Sequence, residues 1–346
     1  MQSRFNLFLS ALFLLTSGGR VLSQDIRFDK VTLPEEGGNI VGITQDLQGY
    51  IWFSTVGSGL FQFDGYNYKS YKNESFNTGS LASNRLESVY ADKSGNIWVG
   101  TFGNGLDKFD PETEDFAHYT HNKNDLTSIS GDTITCIIED NDGFIWVGTL
   151  FNGLNRMDSK TGKFTHYRHK ENDPTSLSFD QIRSLYVDKK GVLWVGAGSN
   201  VINSEENPGR KGGLNRFNAS TGTFTRYLHE ENNLNSLIDN RVRATFEDSH
   251  GNFWVGTAGD GLHTMDRATG TFERHTYDPL HLDKLSRSPL KNVYSWSEDN
   301  ITFITEDAKG AIWIGTFQNG VSRYDPISKK TTHYPGQKDS EGNTSG

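Results

Sequence analysis

The stretch DNDGFIWVGTLFNGLNRMD, residues 140–158, determines the fold because its pattern occurs six times in the chain. An aspartate is followed three positions later by a glycine and three positions after that by a tryptophan. The tryptophans are Trp52, Trp98, Trp146, Trp194, Trp254 and Trp313, and they lie 46, 48, 48, 60 and 59 residues apart. Periods of this length are typical of repeat architectures, in which each repeat buries apolar surface against its neighbours.

Each part of the repeated unit has a local role that its residue types predict. Asp140 can accept hydrogen bonds from the backbone of its own turn, and Gly143 suits a left-handed backbone position. The segment around Trp146 is apolar and β-branched, as strands are. The dipeptide Asn152-Gly153 is typical of a two-residue type I′ hairpin turn. Two more strands follow this turn and one precedes the aspartate, so each unit predicts a four-stranded antiparallel blade.

Six such units predict an all-β fold, a β-propeller of four-stranded antiparallel blades over residues 25–346. One blade cannot bury both faces of its sheet, so the tryptophans are interpreted as core residues between blades. The residues from Asp25 match the end of a unit, which predicts an additional N-terminal strand. Because the sequence stops at Gly346, where a further first strand is expected, we expect a C-terminally truncated, incomplete seven-bladed ring. The alternative is a six-bladed ring with a spare N-terminal strand.

Residues 1–23 have the features of a secretory signal peptide. Arg4 precedes an apolar run from Phe5 to Leu15, and small residues follow it up to Ser23. The apolar run is too short for an ordinary membrane span, and an N-terminal anchor helix is the alternative interpretation. We therefore expect a periplasmic or otherwise extracytoplasmic protein, tethered to a membrane only if a further C-terminal part supplies a membrane helix.

Net charge and cysteine content argue against two kinds of function. The formal net charge is −9 and no basic stripe occurs, so nothing supports binding to nucleic acid. The single cysteine, Cys136, has no partner for an internal disulfide. It lies in the apolar segment TITCIIED, which predicts a buried and unreactive thiol.

Metal binding and catalysis are the alternative interpretations of the acidic turn. Residues 140–143, DNDG, look like the start of a calcium loop, but the equivalent turns read DKSG and DKKG and the glutamate ligand is missing. Five of the ten histidines recur on or just after the fourth strands, which does not indicate one catalytic centre. The sequence therefore predicts no metal, no cofactor and no catalytic residue.

The repeated unit DxxGxIWVGTxxNGLxRxDxxTGxFTHY resembles the two-component regulator propeller repeat, as does residues 42–71, GITQDLQGYIWFSTVGSGLFQFDGYNYKSY. The similarity covers nearly the whole chain from Asp25. It implies the extracytoplasmic sensor region of a membrane histidine kinase, often a hybrid kinase. The implied partners are further propeller and membrane kinase domains of a longer parent chain, which can also form a homodimer. Many members of this family respond to glycans or their breakdown products.

Candidate ligand-binding residues lie at the mouth of the predicted central channel. The positions thirteen and eleven residues before each tryptophan are mostly polar and vary, while the residues around them repeat. Variation on a constant frame is typical of a binding surface on a repeat protein. The candidates are Arg85, Glu87, Gln181, Arg183, Arg241, Arg243 and Asn300. The arginines suit an acidic or polyhydroxylated ligand such as an oligosaccharide, and a solvated channel mouth is the alternative.

Two insertions interrupt the regular period, at residues 198–212 in the fourth unit and 278–298 in the fifth. The first is expected between the second and third strands of its blade, and the other after the fourth strand. Both exceed the usual length of a connection, so they are either functional loops or tolerated surface insertions.

Together these features predict a non-enzymatic, ligand-sensing extracytoplasmic propeller of a two-component signal transduction system. The ligand is expected to be a glycan or its breakdown product. The alternatives are a secreted carbohydrate-active propeller enzyme, either a lyase or a glycosidase, and a protein-interaction scaffold.

Overall fold

The computed structural model describes residues 26, 28, 33–34, 39–199, 211–258, 261–275, 280–281, 285, 301–317 and 320–335. The strands of this part of the chain all lie in the compact unit Glu35–Gly346. The predicted signal peptide, residues 1–23, lies outside the described residues, as does most of the predicted N-terminal strand. In the part of the chain that the structure describes, no helix is long and apolar enough to cross a membrane.

The described residues form six antiparallel sheets of four strands, and each sheet keeps its strands in chain order. Blades 1 to 3 comprise β1 (Ile40–Gln45), β2 (Ile51–Thr55), β3 (Leu60–Phe63), β4 (Tyr68–Tyr71), β5 (Leu86–Ala91), β6 (Ile97–Thr101), β7 (Leu106–Phe109), β8 (Phe116–Tyr119), β9 (Ile134–Glu139), β10 (Phe144–Thr149), β11 (Leu154–Asp158) and β12 (Lys163–Tyr167). Blades 4 to 6 comprise β13 (Ile182–Val187), β14 (Leu193–Gly198), β15 (Gly212–Asn218), β16 (Thr223–Tyr227), β17 (Val242–Glu247), β18 (Phe253–Thr257), β19 (Leu262–Asp266), β20 (Thr271–His275), β21 (Ile301–Glu306), β22 (Ile312–Thr316), β23 (Val321–Asp325) and β24 (Lys330–Tyr334).

The first strand of each blade packs against the first strand of the next, in the series β1, β5, β9, β13, β17 and β21. These strands therefore lie nearest the centre, and the fourth strands lie at the outer edge. The chain is a six-bladed β-propeller, which confirms the predicted fold class.

The repeated aspartate closes the turn between the first and second strands and also binds the repeated tryptophan. In blade 3, Asp140 Oδ1 accepts hydrogen bonds from the N–H groups of Asp142 at 2.9 Å and Phe144 at 3.0 Å. Its Oδ2 accepts the Trp146 Nε1–H bond at 2.6 Å. The aspartate–tryptophan bond recurs in all six blades at 2.6–2.9 Å, and the turn glycine has a positive φ, 82° at Gly143. Both Asp140 oxygens thus serve the turn and the tryptophan, which supports the turn interpretation over a calcium loop.

Replacing Asp248 by alanine is expected to cost about 2–3 kcal/mol of unfolding free energy, because buried N–H donors lose a charged acceptor. Asp248 is fully buried and accepts bonds from Trp254 Nε1 at 2.9 Å and from the Asn252 N–H at 2.8 Å. Asp46, in the more exposed turn of blade 1, is the matched control, since water can reach the two backbone N–H donors that Asp46→Ala releases. Equal losses for the two variants in urea denaturation would contradict this account.

The repeated tryptophans pack between neighbouring blades, as predicted. Trp146 is 1% exposed, and its ring centroid lies 4.9 Å from that of Phe217, which belongs to the third strand of blade 4. Within its own blade the ring lies 5.5 Å from Tyr167. The same contact with the next blade joins Trp52 to Phe109, Trp194 to Phe253 and Trp254 to Tyr324. The core is therefore a series of aromatic layers between blades rather than one central cluster.

In blades 2 to 5 a small residue of the first strand pairs with a glycine of the second strand. Cys136 of β9 pairs with Gly148 of β10. A Cβ added at Gly148 would lie 2.5 Å from Cys136 Sγ and 2.7 Å from the Ile182 side chain of the next blade. The next blade's first strand thus presses against this glycine. Cys136 is half-buried, and burial raises the pKa of its thiol to about 11, which supports the prediction of an unreactive thiol.

The turns between the second and third strands are longer than predicted. Four residues, 150–153, separate β10 from β11, so the two-residue type I′ prediction is wrong here. Thr149 Oγ1 donates a hydrogen bond to the Gly153 carbonyl at 2.8 Å and accepts one from the Asn152 N–H at 2.9 Å. The threonine side chain therefore organises a wider loop than a type I′ turn would form.

The first and last blades carry more exposed apolar surface than the blades between them. Ile43 of β1 is 62% exposed, whereas its equivalent Val89 in blade 2 is 9% exposed. Trp313 of blade 6 is less buried than the other five repeated tryptophans. This exposure is compatible with a seventh repeat, which stays a prediction.

Candidate functional site

The first strand of every blade contains a one-residue β-bulge. In β5, Leu86 pairs with Thr101 and Ser88 pairs with Gly100, so Glu87 has no cross-strand partner. The bulged residues of the six blades are Val41, Glu87, Thr135, Arg183, Arg243 and Thr302. A bulge changes the direction of its side chain, so these six side chains do not follow the regular alternation between the two faces of the sheet. These are the positions eleven residues before each tryptophan, and the bulge explains why they vary while their neighbours repeat.

Charged bulge residues from different blades share one space, the central channel. Burial raises the pKa of the Glu87 carboxyl, and the positive charges of Arg85 and Arg183 oppose that rise. Glu87 lies in blade 2 and Arg183 in blade 4, so their interaction crosses the channel rather than the contact between neighbouring blades. The channel therefore has a negative group on the side of blade 2.

Positive charge is concentrated on the side of blades 4 and 5. Burial lowers the pKa of the Arg183 guanidinium to about 10. Burial, together with the charges of Arg183 and Arg241, lowers the pKa of the Arg243 guanidinium to about 9. Arg243 Nη2 donates to the Ser199 carbonyl at 2.7 Å, and Arg183 Nε donates to the Gly198 carbonyl at 3.5 Å. Both arginines remain protonated at neutral pH, so two like charges lie close together in a poorly hydrated place.

The remaining sequence-predicted residues have other surroundings. Arg241 is 6% exposed, and its Nε and Nη2 donate to the two Asp239 carboxylate oxygens at 2.9 and 2.7 Å. The Arg85 guanidinium lies over the Phe102 ring, 3.6 Å from its centroid. Gln181 is half-buried, and Asn300 lies outside the described residues. Of the four predicted arginines, the structure therefore brings together Arg183 and Arg243, with Arg241 behind them.

The position thirteen residues before each tryptophan also has a backbone role. The carbonyl of Arg85 accepts the Phe102 N–H bond, and the carbonyl of Arg241 accepts the Ala258 N–H bond, both at 3.0 Å. In blade 4 the Gln181 carbonyl accepts the Gly198 N–H bond at 2.9 Å. In blades 2, 4 and 5 these bonds tie the loop after the second strand to the start of the first strand, so both segments lie at the same mouth of the channel.

Exposed aromatic rings at this mouth were missed by sequence reasoning. Phe102, Phe151 and Phe317 lie in the loops after the second strands of blades 2, 3 and 6, and Phe151 and Phe317 are about 60% exposed. The signal was present in the sequence, because phenylalanine follows the Gly-Thr pair closely in three units. Aromatic side chains with a few polar groups are typical of ligand pockets, and their flat faces suit the apolar faces of sugars.

The fourth-unit insertion begins beside the channel arginines. It lies between β14 and β15, as predicted, and the carbonyls of Gly198 and Ser199 at its base receive the bonds from Arg183 and Arg243. Residues 200–210 and most of the fifth-unit insertion lie outside the described residues. The start of the fourth-unit insertion is therefore positioned by the same side chains that carry the channel's positive charge.

Grooves on the outer part of the blades arise from the repeat itself. One groove of about 1100 Å³ follows blade 5 beside Lys190, and its lining includes Asp266 and Arg267. A second groove, of about 420 Å³, lies between blades 3 and 4 and is lined by the equivalent residues Asn218 and Ala219. A shape that recurs with different side chains is a consequence of blade stacking, so these grooves do not indicate a specific site.

Comparison with known proteins identifies the repeat. The sequence model described as Two component regulator propeller matches residues 80–103, 128–151, 176–199, 236–259 and 295–318. No curated protein matches the chain.

Among solved structures, the extracellular domain of a putative hybrid two component system from B. thetaiotaomicron is similar to this chain. The two are 27% identical with a TM-score of 0.66, over 87% of this chain and 35% of that one. The chain thus spans about a third of the length of this relative.

Two more distant similarities concern the fold alone. A virginiamycin B lyase from Staphylococcus aureus is 14% identical, with a TM-score of 0.61 over 89% of this chain and 87% of the lyase. PorZ, a surface component of the type-IX secretion system of Porphyromonas gingivalis, is 17% identical, with a TM-score of 0.58 over 88% of this chain and 43% of PorZ.

Proposed function

We propose, from the membership of this chain in the two-component regulator propeller repeat family, that it is the ligand-sensing part of a two-component signal transduction system. It would act outside the cytoplasm, because the similar hybrid-system structure is an extracellular domain. Signal output would belong to membrane and kinase domains of a longer protein.

The observation that carries the proposal is the ring of six bulged residues around the central channel. Six identical backbone bulges present six side chains of differing chemistry: one carboxylate, two guanidiniums, two hydroxyls and one isopropyl group. A purely structural position would repeat its residue type, as the tryptophans do.

A glycan is the proposed class of ligand. The channel mouth combines the exposed rings of Phe151 and Phe317 with the polar groups Glu87 and Thr135 just inside. Hydroxyl-rich ligands need hydrogen-bonding groups of both kinds, and saccharide rings need flat apolar surfaces. The channel thus supplies the two kinds of contact that a sugar requires.

Oligosaccharide binding to the chain is the measurement that tests this function. A panel of neutral and acidic oligosaccharides is screened by thermal shift, and Kd values are measured by calorimetry. The double variant Phe151→Ala/Phe317→Ala is expected to weaken binding at least about tenfold, as loss of aromatic anchors does.

Leu126→Ala is the control, since Leu126 is an exposed apolar residue that lies in a loop at the outer edge of the blades. The proposal is wrong if no saccharide binds, or if the double variant and the control bind equally well.

A further inference from the structure

We propose that Arg183 and Arg243 form an oxyanion-binding site in the central channel, which selects an acidic saccharide through its carboxylate or sulfate group. This inference rests on the proposed function and adds the charge of the ligand to it. It is carried by three observations on the described residues: the placement of the two arginines, the hydrogen-bonding capacity of Arg183, and the opposite charge on the far side of the channel.

The bulges bring two like charges together on adjacent blades. Arg183 and Arg243 occupy the same bulge position of β13 and β17, whose strands pack directly against each other. The nearby acid Asp239 already holds Arg241 through two hydrogen bonds. The two guanidiniums therefore lie close to each other in a place where water screens their charges poorly. Chains keep such unfavourable arrangements where they serve a function.

Arg183 has unused hydrogen-bonding capacity. A guanidinium offers five N–H donors, yet among the described residues Arg183 makes one hydrogen bond, the long one from Nε to the Gly198 carbonyl. Its Nη2 is buried and has no partner in the described part of the chain. A buried donor without an acceptor is costly, and a carboxylate or sulfate accepts two parallel bonds from such a fork. A bound oxyanion would supply the missing acceptor.

The carboxylate of Glu87 makes the charge of the channel wall differ between blade 2 and blades 4 and 5. It occupies the bulge of blade 2, two blades from Arg183, and it repels an anion while it accepts hydrogen bonds from hydroxyl groups. A ligand with an acidic group at one end and hydroxyl groups at the other fits this arrangement in one orientation only. A neutral sugar would leave the buried Arg183 Nη2 donor without a charged acceptor.

The positive site is local, because the whole chain has a formal net charge of −9. The general field of the protein therefore does not attract anions, and selection depends on the two guanidiniums at short range. We expect a binding preference for acidic ligands that survives moderate salt, since a poorly hydrated pair is screened less than a surface patch.

The ligand test uses a matched pair of probes, trigalacturonate and its methyl ester, which share the sugar body and differ in charge. The chain is expected to bind the acid at least about tenfold more tightly than the ester, the discrimination of a charged hydrogen bond. Arg183→Gln and Arg243→Gln should each remove most of that preference and leave ester binding unchanged. Arg216→Gln is the matched control, because Arg216 lies on the same blade as Arg183 but is exposed on β15. A sulfated trisaccharide in a parallel arm distinguishes a sulfate site from a carboxylate site.

A second measurement does not depend on the sugar. Sodium sulfate, against sodium chloride of equal ionic strength, should raise the unfolding midpoint of the wild type more than that of Arg183→Gln. Without added anion, Arg183→Gln should unfold at the same midpoint or higher, because it relieves a buried like-charge pair. A lower midpoint would indicate a structural arginine and contradict the proposal.

Two further results would overturn the inference: equal affinity for the acid and the ester, or equal effects of sulfate on the wild type and Arg183→Gln. In either case the proposed function survives if a neutral saccharide binds and if that binding depends on Phe151 and Phe317. If sulfate stabilises the wild type more than Arg183→Gln but no saccharide binds, the oxyanion site is supported and the glycan function is refuted.

Discussion

Trp146→Ala is expected to lower the free energy of unfolding by about 3–5 kcal/mol, as truncation of a large buried aromatic residue does. Trp146 is almost fully buried, and its ring packs against Phe217 of the next blade and Tyr167 of its own. Its Nε1–H is also the donor to Asp140. The substitution therefore opens a cavity between two blades and removes the donor to a carboxylate that closes the adjacent turn.

Trp313→Ala is the matched control for this prediction. Trp313 has the same bond to its aspartate, Asp307 Oδ2 at 2.9 Å, but its ring is only partly buried. Truncating a ring that already contacts water removes less buried apolar surface, so this variant should lose clearly less unfolding free energy than Trp146→Ala. Urea denaturation followed by tryptophan fluorescence and circular dichroism measures both. Similar losses would show that the tryptophans act within their own blade rather than between blades.

Acidification is expected to destabilise the protein through His263. Burial lowers the pKa of the His263 imidazole to about 3, from an ordinary value of 6.5. Below pH 6.5 the unfolded chain takes up a proton that the folded chain refuses until about pH 3, so stability falls as the pH drops through this window. Between pH 7 and pH 4 the loss from this group is about 3 kcal/mol.

The contacts of His263 explain why it stays neutral. Its Nδ1–H donates to the Val255 carbonyl at 3.1 Å, and its Nε2 accepts the Ile238 N–H bond at 2.9 Å. A protonated ring would point an N–H at the Ile238 N–H. The charges of His275 and Arg274 disfavour the proton further, while Asp239 opposes them.

The repeat itself supplies the substitution that tests this account. Asn215, at the equivalent position of blade 4, accepts the Ser178 N–H bond at 2.8 Å and donates to the Val195 carbonyl at 3.1 Å. His263→Asn should therefore preserve both hydrogen bonds without a group that titrates. The measurement is the unfolding free energy of each protein at pH 7 and pH 4. The change between the two pH values is compared, so any destabilisation that the substitution causes at pH 7 cancels. If the variant loses as much stability as the wild type between these pH values, His263 is not the acid-sensitive group.

Most of the blade could be predicted because the contacts that form it join residues that are close together in the sequence. Asp140, Gly143 and Trp146 lie within seven residues, and the bonds between them close one turn. Such a motif repeats wherever its residues repeat, so six occurrences in the sequence become six blades. The turn after the second strand was mispredicted because Thr149, outside the Asn-Gly pair, determines its width.

The sequence places Arg241 and Arg243 among the candidate site residues but does not distinguish their surroundings. Arg241 and Arg243 are two residues apart and look alike in the sequence. Their surroundings differ because of the bulge: Arg241 pairs with Asp239, whereas the bulge at Arg243 directs its side chain towards the channel. A bulge depends on pairing between strands, and such pairing is not visible in the order of residues.

The sequence by itself determined the repeat, the four-stranded blade and the inter-blade position of the tryptophans, because these follow from short-range spacing and from the need to bury an aromatic face. The tertiary structure alone decided which polar residues meet. Glu87, Arg183 and Arg243 are far apart in the chain and share a channel only because three first strands converge at the centre of the propeller. Electrostatic interaction depends on distance through space, so the charge pattern of the channel exists only once the blades are assembled.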